Sequence, residues 1–381
     1  MHKRRSRIEQ CFCFLWLLSI VYFIEVPVIS SSILTELIWI PGIIYLAIIS
    51  LSAMQHSNKN EAAYVAICFI VLLLGMVSGG VLFSVKHLIA TTCYMTQILS
   101  MIVVSKSTVS KRTFDFIFYS AVVISLIFTV LSFTPLAYLT KSTGIARYTV
   151  YFVFNLDYSN LAGIYLFCIF SILLVNLKYR KHKLFIIILM AYVGWMIYKT
   201  NARSCIISVL AIIAIDLFYR NKKIPKFVVI GGLIFPVLFA VVYSYLSING
   251  YSNFQFLGKN LFTGRQEVYA NYLSRIHGLE GYLIGNFAEN ALQNAHNGPI
   301  SVFSSMGIIG IYATYRLYYR TINTVNHGLG TISTTCVACV LGIMILTSAE
   351  ATMMLGGFPA IVFFDTLFLL ANYEGNPQLD E

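Results

Sequence analysis

"KFVVIGGLIFPVLFAVVYSYL", residues 226–246, carries one charged side chain at its first position and none thereafter. A helix rises 1.5 Å per residue, so about 20 such residues cross the ~30 Å hydrocarbon core of a bilayer. In hydrocarbon every backbone polar group needs a partner within the chain, which a helix supplies. A membrane β-strand would alternate polar and apolar positions, and this run does not. Similar runs occur at 11–30, 34–54, 62–82, 87–105, 114–135, 158–177, 184–199, 203–219, 299–318, 331–348 and 353–372. Composition agrees. The chain is 58% hydrophobic and only 11% charged, where soluble domains carry about 25% charged residues. The expected fold is all-α: a polytopic membrane protein of about twelve transmembrane helices, forming one integral membrane domain over 1–381. The run at 11–30 is long, lacks a small-residue cleavage site and is followed by further spans, so it reads as a retained helix rather than a cleaved signal.

Lysine and arginine orient these helices. With the N-terminus inside, most of the 26 basic residues fall in cytoplasmic segments, among them Lys3, Arg4, Arg5, Arg7, Lys111, Arg112, Lys178, Arg180, Lys181, Lys222, Lys223, Arg316 and Arg320. This asymmetry puts both termini in the cytoplasm. It also accounts for most of the +11 net charge. The basic residues are scattered through short loops with no binding module around them, so no nucleic-acid partner is expected. Basic residues expected outside are Lys86, Lys141, Arg147, Lys199, Arg203, Lys259, Arg265 and Arg275. Each reads either as an interfacial anchor or as part of an anion site, where a guanidinium offers a two-pronged contact to phosphate oxygens.

Two outer connections are long. Residues 136–157, "LAYLTKSTGIARYTVYFVFNLD", are aromatic-rich and suit the membrane interface. Residues 247–298 form the longest loop, and "QEVYANYLSRIHGLEGYLIG" within it predicts short helices and an ordered lid. The eight cysteines lie in or beside apolar runs, so no disulfide framework is expected, and Cys336-x-x-Cys339 reads as two inert thiols. No His/Cys/carboxylate group has metal-ligand spacing, and no Walker-type phosphate loop is present. Neither a metal nor a cofactor is expected.

The long loop ends in "NAHNGPISVFSSMGIIG", residues 294–310. His296 and Asn297 are followed by nine residues, then Gly307, two residues and Gly310. This resembles the motif of the O-antigen ligase and Wzy polymerase superfamily, whose members share a long periplasmic loop ending in such a histidine. "TGRQEVYANYLSRIHGLEGYLIGN" is similar to the family's Gly-Arg segment with its following turn, though the turn reads Gly281-Tyr-Leu-Ile-Gly285-Asn rather than a tight Gly-x-Gly. "TNARS" at 200–204 resembles the family's Ala-Arg element opening a membrane helix. The motifs cover mainly 200–310, while the layout covers the whole chain. The rather short loop leans toward the polymerase branch.

The resemblance implies a GT-C-like membrane glycosyltransferase of the bacterial inner membrane. It would join undecaprenyl-diphosphate-linked oligosaccharides at the periplasmic face, with a flippase and a chain-length regulator of the same pathway as partners. The residue types fit. A sugar hydroxyl is a poor nucleophile, and a histidine with a pKa near ~6.5 can take its proton. The diphosphate leaving group needs charge stabilisation, which arginines supply. His296 is the expected base, and Arg265, Arg203 and Arg147 the expected diphosphate ligands. Asn297 either orients the imidazole or caps the following helix. Glu350 either orients a site residue or is a plain loop residue. His277 reads as solvated surface, Gly307 and Gly310 as close helix packing, and Asp365 as an intramembrane acid satisfied by packing. Other readings are an O-antigen ligase and a lipid-linked oligosaccharide transporter, although transporters commonly show two related halves, and none is visible.

Overall fold

The computed structural model describes residues 57–132, 159–200, 202–220, 222–249, 265–290, 295–326, 331–349 and 358–373, together with the short pieces 12–13, 16–17, 44–45, 47–48, 255–256 and 259–260. The stretch 136–157, Arg147 and Glu350 lie outside the described residues, as do most of the first two apolar runs. The other ten apolar runs are helices. They are α1 (Lys59–Ser78), α2 (Val85–Val104), α3 (Lys111–Ser132), α4 (Ser159–Tyr179), α5 (Lys183–Thr200), α6 (Arg203–Phe218), α7 (Lys226–Ile248), α11 (Gly298–Val325), α12 (Thr331–Leu346) and α13 (Phe358–Ala371). Between α7 and α11 lie a two-residue antiparallel ladder, β1 (Gln255–Phe256) with β2 (Lys259–Asn260), and three short helices, α8 (Arg265–Ser274), α9 (Gly278–Ile284) and α10 (Phe287–Asn290). The short helices are those expected in the long loop.

Among the described residues, α1, α2, α5 and residues 226–246 of α7 are long and apolar enough to cross a membrane. The outside of the bundle is itself apolar: Leu184, Ile188, Leu210, Leu217, Phe227, Leu238 and Val241 are each at least half exposed. Contiguous apolar surface of this extent is costly in water and suits hydrocarbon. Small residues let the helices approach. A Cβ added at Gly342 of α12 would lie 2.2 Å from Ile212 of α6, and one at Gly232 of α7 would lie 2.9 Å from Leu341 of α12.

Asp365, the acid inside the last helix, is paired. It is fully buried and accepts from Ser100 Oγ at 2.9 Å and from Tyr45 OH at 3.1 Å. This is the satisfied packing expected for it. Among the described residues the seven cysteines form no disulfide, and Cys336 and Cys339 are fully buried.

One end of the bundle is stitched by ion pairs. Lys106 pairs with Glu61, Lys178 with Asp216 at 2.5 Å and Arg180 with Asp115 at 2.6 Å. Glu61 also completes a capping box with Asn58 at the start of α1, and Asp216 accepts from Thr335 Oγ1 at the start of α12. Removing one partner of a buried pair leaves an uncompensated charge. Asp216→Ala should therefore lower stability by about 3 kcal/mol. Asp115→Ala, whose carboxylate is 30% exposed, should cost about 1 kcal/mol or less. Thermal unfolding of the two variants in detergent checks the ordering.

Candidate functional site

At the opposite end of the bundle the N-terminus of α11 meets the C-terminus of α12. The last carbonyls of a helix have no partner within it, and here residues around His296 supply donors. Gly298 N donates to Thr347 O at 2.8 Å. Asn297 caps α11 by accepting from Ile300 N at 3.0 Å, and its amide donates to Ser348 O at 3.0 Å and Pro236 O at 3.2 Å. Asn297 is fully buried. Of its two expected roles, the structure displays the cap.

His296 precedes this cap with φ 53°, the only non-glycine positive φ among the described residues. That left-handed conformation is uncommon outside glycine, and strain of this kind concentrates at functional sites. The imidazole is half-buried while its neighbours Ala295 and Asn297 to Ile300 are buried, so histidine is the accessible side chain of the corner. Its carbonyl and that of Ser348 both lie 3.4 Å from the hydroxyl of Tyr269, a fully buried residue of α8.

Tyr269 sits in an aromatic cluster on the C-terminal half of α7. Its ring centroid lies 5.9 Å from that of Tyr243, which stacks on Phe239 at 5.3 Å. Arg265 lies one helical turn before Tyr269 on the same face, about 6 Å along α8. Burial pushes the phenol of Tyr272 up, against the opposing effect of the Arg275 guanidinium. Arg275 also reaches Asn290 Oδ1 at 3.4 Å, which joins the end of α8 to α10.

Arg203 opens α6, which runs antiparallel to α12. Asp216 of α6 meets Thr335, and Ile212 meets Gly342. Carried along α6, this register brings Arg203 level with the Ser348 end of α12. His296, Arg265 and Arg203 are thus gathered at one end, and both arginines are half-buried. Each is the first residue of its helix, where the macrodipole disfavours a cation. Beyond Pro236, α7 continues for about 18 Å at 1.5 Å per residue, so the corner sits at the foot of a wall formed by α7 and α8. Two buried oxygens here, Gln266 Oε1 and Ser301 Oγ, have no hydrogen-bond partner among the described residues. His277 is exposed, as expected.

Gly307 does more than the close helix packing expected of it. Gly307 breaks α11, with φ 60° and ψ −165°. The break releases Ser304 O, which accepts from Asn286 N at 2.7 Å and Asn290 Nδ2 at 3.1 Å. A Cβ on Gly307 would lie 2.3 Å from the carbonyl of Leu283, and one on Gly285, itself at φ 75°, would lie 2.4 Å from Met306 N. Two glycines in left-handed backbone therefore lock the loop to α11. His87 of α2 adds a second fastening, with Nε2 2.7 Å from Ala288 O and Nδ1 2.8 Å from Ser84 Oγ. The fully buried Tyr269, His87 and the Thr347 and Ser348 carbonyls were not foreseen. A tyrosine one turn after an arginine is a faint signal, and backbone carbonyls leave none.

No protein-family model matches the chain, and no curated protein matches it.

Substitution of either locking glycine combines a clash with an unfavourable φ. Gly307→Ala and Gly285→Ala should each lower stability by about 2 kcal/mol or more. Gly231→Ala, where a Cβ meets nothing within 4 Å, should be neutral or slightly stabilising. Thermal unfolding in detergent distinguishes these outcomes.

Proposed function

We propose that this chain is a polytopic inner-membrane glycosyltransferase. In this reading it polymerises undecaprenyl-diphosphate-linked oligosaccharide repeat units at the periplasmic face, as an O-antigen or related polysaccharide polymerase. The observation that carries the reading is the corner where a strained, accessible histidine shares one end of the bundle with two arginines that each open a helix. The resemblance of residues 200–310 to the O-antigen polymerase and ligase superfamily supports it. The wider topology of the proposal is twelve spans, cytoplasmic termini and a periplasmic 247–298 loop.

The transfer breaks the bond from the donor's anomeric carbon to the diphosphate oxygen and forms one to an acceptor hydroxyl. His296 accepts the hydroxyl proton as attack proceeds. The diphosphate leaves with the bonding electron pair. Arg265 and Arg203 hold it more tightly as its charge grows, which lowers the barrier. Asn297 acts through the backbone, holding His296 in its left-handed conformation.

His296→Ala should lower polymer formation by at least about 100-fold while the protein reaches the membrane in normal amount. Wild-type polymer in that variant removes the base role. Arg265→Lys and Arg203→Lys should both be severely impaired, because a point ammonium does not reproduce the two-pronged contact. Normal glycan in both would make them simple anchors.

A deletion strain separates polymerase from ligase. Loss of a polymerase leaves surface glycan capped with single repeat units, and this is the pattern expected. Long polymer stranded on the carrier lipid would instead assign the ligase reaction.

A further inference from the structure

Arg316 and Arg320 lie one turn apart on α11, at its seam with α1 and far from His296. Arg316 Nε donates to Tyr64 OH at 3.4 Å, and the Arg320 guanidinium lies 5.7 Å from the centroid of the same ring. Tyr312, a further turn along, meets Tyr64 edge-on at 6.1 Å. Like charges one turn apart on a helix destabilise it. At this end of the bundle Lys106, Lys178 and Arg180 each have a carboxylate partner, yet among the described residues no carboxylate pairs with Arg316 or Arg320.

Their depth is informative. The helices α1 and α11 are antiparallel, with Cys68 beside Thr314. That register brings Arg320 level with the Glu61–Lys106 pair and puts Arg316 one turn deeper, about 6 Å further in. The surface above them is apolar and open: Tyr312 is 55% exposed and Ile308 52%. A pair of guanidinium groups therefore sits at the foot of a lipid-facing apolar strip, at the end of the bundle where the basic loops gather.

We propose that the Tyr64–Arg316–Arg320 seam binds an anionic phospholipid of the leaflet at that end. Both guanidinium groups hold its phosphate, and an acyl chain lies along Tyr312 and Ile308. The phosphate relieves the repulsion between the arginines, and guanidinium forks match its oxygens. Basic pockets between membrane helices on the cytoplasmic side recognise anionic headgroups in this way. Free phosphate would gain nothing from the apolar strip, so the occupant is a lipid. The inference does not depend on the transfer reaction.

Native mass spectrometry of the full-length protein in detergent, titrated with phosphatidylglycerol, tests it. We expect one tightly held lipid on the wild type. In Arg316→Gln/Arg320→Gln its affinity should fall by about tenfold or more. Phosphatidylcholine with the same chains should bind weakly, and excess inorganic phosphate should not displace phosphatidylglycerol. Lys111→Gln/Arg112→Gln, which removes two exposed cations at the same end, should leave binding unchanged. Unchanged phosphatidylglycerol affinity in the arginine variant overturns the proposal. So does an equal loss in the lysine–arginine control, or displacement by inorganic phosphate. Should the double variant not stay monodisperse, Arg320→Gln alone is read by the same titration, with a severalfold loss expected and no loss counting against the site.

Discussion

The site depends on the buried amide of Asn297. It joins the start of one helix to the unsatisfied end of another, and it does so with all its polar groups engaged. Its oxygen caps α11, and its NH2 ties down Ser348 O and Pro236 O. In an apolar interior each unmet carbonyl or amide costs about 1–3 kcal/mol, so the junction admits few alternatives. Because Asn297 is fixed, the backbone before it must turn sharply. His296 absorbs the turn with a positive φ, and its carbonyl lies within reach of the Tyr269 hydroxyl, which brings α8 to the corner. The histidine's strain and the arginine's position thus have one structural origin.

The break at Gly307 has the complementary role. An unbroken α11 would leave Ser304 O within its own helix. With the break, that carbonyl becomes a receptor for Asn286 and Asn290, and the close approach of Gly285 locks the loop in place. The segment from α8 to α10 is consequently fastened against the bundle. His87 and the glycine that ends α1 hold its far side, since a Cβ on Gly79 would lie 2.2 Å from the Cβ of Ala288. In the proposed transfer reaction this gives the arginine-bearing helix a fixed frame, as positioning of a leaving-group ligand requires.

Most of the helices were legible in the sequence because hydrocarbon demands an unmistakable run of apolar residues. The run at 226–246 predicts α7 within two residues, and the start of α6 at Arg203 is read correctly. The run at 299–318 predicts one helix, but α11 extends to Val325 and breaks at Gly307. A glycine inside an apolar run looks the same whether it serves helix packing or a break, and only the apposed backbone of Leu283 and Ile284 decides. At the site, His296 and Arg265 were readable as chemistry-bearing residues of the long loop, and Arg203 as the first residue of a helix. That Arg203 comes level with the end of α12 was not, because it follows from the register between α6 and α12. Asp365 illustrates the same limit. Its burial was evident from its run, but Ser100 and Tyr45 as partners come from helices distant in sequence.

The central claim is that this corner performs glycosyl transfer from a lipid diphosphate. The most direct measurement places the purified protein in proteoliposomes with an undecaprenyl-diphosphate-linked repeat unit and follows the carrier. One undecaprenyl diphosphate released for each new glycosidic linkage is the result the account predicts. Movement of the intact lipid-linked unit across the bilayer, with no diphosphate released, would contradict it and make the protein a transporter.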